Sequence, residues 1–110
     1  MIIGRFTESN DGQLVGHIRT LFFRSDKVVF EPSAEPHPAN APAFRIYSGD
    51  EIELGAAWRK AGKDTGQIYY DVKLDDPTFA GPVRCRLAQA KRGDGFVLVW
   101  ERPKTTRTAA

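Results

Sequence analysis

Cysteine is nearly absent: Cys85 stands alone in 110 residues, so the chain can form no internal disulfide and has no thiolate set for a tetrahedral metal. Histidine is as scarce, with only His17 and His37. No apolar run approaches the ~18 residues of a membrane-spanning helix. Met1 leads straight into Ile2-Ile3-Gly4-Arg5, with no basic leader, apolar core or cleavage site. These absences argue against classical secretion and predict a protein without metal, other cofactor or membrane partner. Two catalytic signatures are missing as well. No serine sits in a Gly-x-Ser-x-Gly elbow, and Gly62-Lys63 lacks the rest of a phosphate loop, since Ala57 stands where the opening glycine belongs and Asp64 where a magnesium-binding hydroxyl is needed.

What is present is one domain's worth of chain. At this length about two thirds of the unfolded surface is buried on folding, enough for a core without staples. The net charge of +2 is small but unevenly spread. Residues 1–54 hold five Lys/Arg against eight Asp/Glu, and residues 55–110 hold eleven against six. A basic second half points toward a polyanion-facing surface.

Hydropathy alternates with period two, and Gly, Asn, Asp and Pro punctuate it as in hairpins. Strands are predicted over 2–7, 14–21, 27–31, 43–47, 51–59, 68–74, 83–87 and 96–101. Pro32, Pro36, Pro38 and Pro42 make the stretch between the third and fourth strands a loop. A helix starting near Ala56 is excluded, because Gly55 and Gly62 bracket only six residues. Seven to eight short antiparallel strands, with almost no helix, imply an all-β barrel or sandwich over residues 1–101. Residues 102–110 read as a polar, flexible tail.

Alternation assigns the faces. Ile52, Leu54, Ala56 and Trp58 are predicted to point inward, as are Ile68, Tyr70, Val72, Leu74, Val83, Cys85, Leu87 and Trp100. Cys85 then reads as a small buried hydrophobe. Outward positions gather Arg59, Tyr69, Lys73, Arg84 and Arg86, with Lys60, Lys63, Lys91 and Arg92 at the adjoining turns. Such a face attracts phosphates by counterion release and offers Tyr69 as a stacking platform for an unpaired base. Val97 and Val99 also point outward, which suggests that something covers them, such as the C-terminal tail or a second subunit, and supports a self-associating or protein-binding module as the competing reading. Asp75-Asp76-Pro77 is explained by an Asx-type turn. No general base with an orienting group can be named from spacing, so no catalytic residue and no enzymatic activity is predicted.

Several segments resemble a known family: Ile3-Gly4-Arg5-Phe6-Thr7, Gly16-His17-Ile18-Arg19-Thr20-Leu21, Ala41-Pro42-Ala43-Phe44-Arg45-Ile46-Tyr47, Glu53-Leu54-Gly55-Ala56-Ala57-Trp58 and Val72-Lys73-Leu74-Asp75-Asp76-Pro77-Thr78-Phe79. In this order they resemble the bacterial domain-of-unknown-function family 736, over about residues 2–101. The resemblance implies a small single-domain cytoplasmic protein, often encoded on plasmids and other mobile elements, and it brings no activity, cofactor or catalytic residue with it. That genomic company favours nucleic acid as the partner class. The expected function is a non-enzymatic binding module, with single-stranded nucleic acid as the candidate ligand and self-association or protein binding as the alternative.

Overall fold

Alternating residues with hairpin turns between them leave the chain one economical arrangement, a meander in which each strand pairs with its neighbours in sequence. A computed structural model describes residues 1–21, 23–33, 41–49, 52–63, 66–91 and 95–101. It contains eight strands: β1 (Ile2–Glu8), β2 (Leu14–Arg19), β3 (Arg24–Pro32), β4 (Phe44–Ser48), β5 (Ile52–Ala61), β6 (Ile68–Leu74), β7 (Val83–Gln89) and β8 (Phe96–Val99). All pairings are antiparallel and follow chain order, and β8 closes onto β1 to complete a barrel. Closure gives each of these strands a partner on both sides. No helix occurs among the described residues.

All eight predicted strands are present, and the choice between barrel and sandwich is resolved as barrel. Boundaries moved by a few residues. β2 stops at Arg19 and leaves Leu21 88% exposed, while β3 starts three residues before the expected Lys27.

Inward residues of every strand meet in one core. Ile3, Phe6, Leu14, Ile18, Val28, Phe30, Ile46, Leu54, Val72, Leu74, Leu87 and Leu98 are all buried in it. Cys85 lies there too, and burial pushes its thiol up to about 11. Four aromatic rings plug one end of the lumen edge to face: Phe6 on Phe30 at 4.8 Å, Phe30 on Phe44 at 6.1 Å and Phe44 on Tyr70 at 5.1 Å. The buried Ser25 hydroxyl is satisfied by the Ser48 hydroxyl at 2.6 Å and by the Lys27 carbonyl at 3.2 Å.

Two glycines permit the tight curvature. A Cβ on Gly16 would lie 1.8 Å from the Arg5 carbonyl oxygen, and one on Gly55 would lie 2.0 Å from that of Lys73. Only hydrogen fits at these strand crossings.

The fifth strand corrects the sequence reading. Register between β4 and β5 shifts after Ile46, which pairs with Gly55 while Tyr47 pairs with Glu53. The extra residue reverses the alternation beyond Leu54. Ala57 is therefore fully buried, whereas Ala56 and Trp58, both expected inside, take outer positions. Ile52, also expected inside, is 58% exposed at the start of the strand. Trp100 packs against the core as expected.

Candidate nucleic-acid interface

β5, β6 and β7 form a continuous stretch of sheet whose outer side carries the basic and aromatic residues. The register sets Lys60 opposite Tyr69, Trp58 opposite Asp71 and Ala56 opposite Lys73. The next pair sets Asp71 opposite Arg86 and Lys73 opposite Arg84. Residues directly opposite share one face with Cβ atoms about 5 Å apart. Lys60, Tyr69, Lys73, Arg84 and Arg86 are thus brought together, as alternation predicts for all of them but Lys60, which was expected at the turn.

The centre of the face is a stack. The guanidinium carbon of Arg86 lies 4.6 Å from the centroid of the Tyr69 ring, an attraction between cation and ring quadrupole. Together they offer a flat, positively charged surface of the kind on which unpaired bases stack. Trp58 stands diagonal to Tyr69 across the β5–β6 pair. Sequence reasoning missed it, because its inward assignment ignored the register shift at Leu54.

Charge on this face is lopsided. Lys60, Lys73, Arg84 and Arg86 face Asp71 within the β5–β7 register, and Glu53 stands at the start of β5. The ion pairs Arg24–Asp26, at 3.0 Å, and Arg45–Glu53, at 3.2 Å, lie on β3 and across β4–β5. Toward β4 the positive character ends at a shallow groove of about 370 Å³ between Trp58 and Lys73, which Glu53 and Asp75 also line.

Other predicted residues sit apart from the centre. Arg59 does not belong to the face: it pairs with Tyr70, whose ring packs on the core, so Arg59 has interior parity. It is solvent-exposed because β5 runs on after its pairing with β4 ends at Ala57. The same one-residue shift that released Trp58 explains this correction. Lys63 and Lys91 are exposed in the β5–β6 and β7–β8 connections, at one end of the barrel. Arg92 and the tail at 102–110 lie outside the described residues.

Val97 and Val99 occupy outer positions on β8 and are half-buried, opposite Ala88 and Arg86 of β7. β8 is paired on both sides, so any association there uses outer side chains and not strand addition.

Acid–base chemistry finds no assembly in the described residues. His17 lies on β2, which pairs with β1 and β3, while Asp71 lies on β6, which pairs with β5 and β7. Asp76 accepts hydrogen bonds from the backbone amide and hydroxyl of Thr78. Those bonds hold its carboxyl below the usual carboxylate range, and the residue serves as the expected turn cap. Among the described residues no group of three or more His, Cys, Asp or Glu is placed to hold a metal ion. None of them forms a helix long and apolar enough to cross a membrane.

No curated protein and no solved structure matches the chain. The sequence model of one family does match, over residues 2–103, which takes in all eight strands and both faces of the β5–β7 sheet. The chain belongs to the family described as Protein of unknown function (DUF736).

Proposed function

We propose that the outer face of β5–β7 binds single-stranded nucleic acid, without catalysis. One observation carries the reading: the Arg86–Tyr69 stack, flanked in register by Lys60, Lys73 and Arg84. The cations hold the phosphates, and the flat stack takes a base, with Trp58 as a second platform diagonal to it. Stacking does not depend on base identity, so the binding is tolerant of sequence. A duplex, whose bases are already stacked, competes poorly for these rings.

Fluorescence anisotropy with a labelled oligothymidine at low salt tests the proposal. Saturable binding is expected, and Tyr69→Ala weakens it by about tenfold, in line with about 1–3 kcal/mol per stacked base. Absence of binding at low salt overturns the proposal, as does an unchanged affinity in Tyr69→Ala.

A further inference from the structure

The two ends of the barrel are unequal. Where Phe6, Phe30, Phe44 and Tyr70 interlock, the lumen is filled. At the opposite end it opens into a pocket of about 550 Å³. Core residues Ile3, Ile18 and Leu74 line this pocket together with Phe23, Phe79 and Trp100. Phe23 and Phe79 meet edge to face at 5.3 Å.

The pocket is preformed. Phe79 sits in the β6–β7 connection, which is fixed by the bond from the Phe79 amide to the Asp76 carbonyl at 2.8 Å and by the Asp76 carboxylate on Thr78. Its polar side chains are already engaged: the Thr20 hydroxyl bonds the Phe23 backbone, and the Thr78 hydroxyl bonds Asp76. Among the described residues no charged side chain lines it, and the ammonium of the lining residue Met1 donates to the Trp100 carbonyl at 3.0 Å.

From this we infer that the open mouth is a binding site for a small, uncharged apolar molecule. Sites for such molecules typically span about 300–1,000 Å³, are lined by apolar and aromatic side chains, and occur in the mouths of barrels. A subunit interface takes about 20–30 residues from each side, whereas thirteen of the described residues line this pocket. The mouth has the size of a ligand site and not of a dimer contact. It is also separate from the basic face, so oligonucleotide and apolar ligand occupy the barrel independently.

N-Phenyl-1-naphthylamine, an uncharged fluorophore, is the test probe. In a Trp58→Phe variant Trp100 is the sole tryptophan, and its emission reports on the pocket. Expected are saturable one-to-one binding, quenching of Trp100, and amide shift changes confined to residues 3, 18–21, 23, 74, 78–83 and 100. Leu21→Asp combined with Gly81→Asp places charge at the rim. Leu21 is 88% exposed and a Cβ on Gly81 meets nothing within 4 Å, so this variant keeps its near-ultraviolet circular dichroism while binding at least tenfold more weakly. Absent or non-stoichiometric binding overturns the inference, as do shift changes spread over the outer sheet. A doubled sedimentation mass with the probe excluded also overturns it, because a second copy then fills the mouth. If the rim variant loses its fold, the shift map of the unaltered rim decides the matter alone.

Discussion

Replacing Arg84 and Arg86 together by alanine removes half of the four cations that the register places on the β5–β7 face. For a single strand, log affinity falls against log salt with a slope of about −0.7 per phosphate neutralised. If Lys60, Lys73, Arg84 and Arg86 each meet one phosphate, the slope is about −2.8, and the double variant leaves about −1.4. Between 50 and 200 mM salt the unaltered protein then loses about 50-fold in affinity and the variant about sevenfold. Anisotropy titrations at four or five salt concentrations measure both slopes. Arg86→Lys is the informative companion, since it keeps the charge and the slope but loses the planar stack on Tyr69. Equal slopes for the unaltered protein and the double variant would refute the placement of phosphates on this face, whatever the affinities.

Other consequences concern the fold. Gly16→Ala forces a methyl to within 1.8 Å of the Arg5 carbonyl oxygen, and urea denaturation should show a loss of about 2–4 kcal/mol from parted strands and displaced packing. Gly12→Ala has open space around it but keeps φ at +81°, so the loss is about 1 kcal/mol; equal losses would show that steric approach is not what selects glycine at Gly16. Cys85 ionises less readily in the folded chain, near 11, than at its ordinary 9.0. Its contribution to stability is therefore full below pH 9.0 and is lost as pH rises through about 11. A Cys85→Ala variant measured across the same range lacks that decline, and a thiol reagent reacts with the native protein only at its unfolding rate.

Most of the architecture was legible because each strand advertises its own inner face. β6 shows this well: Val72 and Leu74 are buried and Tyr69, Asp71 and Lys73 face out, as plain alternation predicts. β5 was misread beyond Leu54 for a definite reason. Gly55-Ala56-Ala57 offers no contrast in size or polarity, so nothing local marks the phase, and the shift is set by pairing with β4. One residue of slip exchanged Trp58 for Arg59 on the candidate face. The apolar mouth was illegible for another reason, since its walls come from β1, β2, β6, β7, the β2–β3 and β6–β7 connections and Trp100, just past β8. Those segments meet only after the barrel closes.

Closure also orders the assembly in time. Seven of the eight strand pairings join consecutive strands, while β1 and β8 bring together residues such as Phe6 and Phe96, ninety positions apart. Relative to a hairpin of about ten residues, that loop costs about 2 kcal/mol more in chain entropy. The seam therefore zips last in folding, and parting it is the cheapest large opening of the native ring. The β5–β7 face, made of local hairpins, exists before the seam forms and outlasts its opening. The mouth does not, because Met1 and Trp100 are joined across that seam. Hydrogen exchange is expected to resolve the two surfaces into separate cooperative units, and the ligand inferred for the mouth would act as a clasp on the last step of folding.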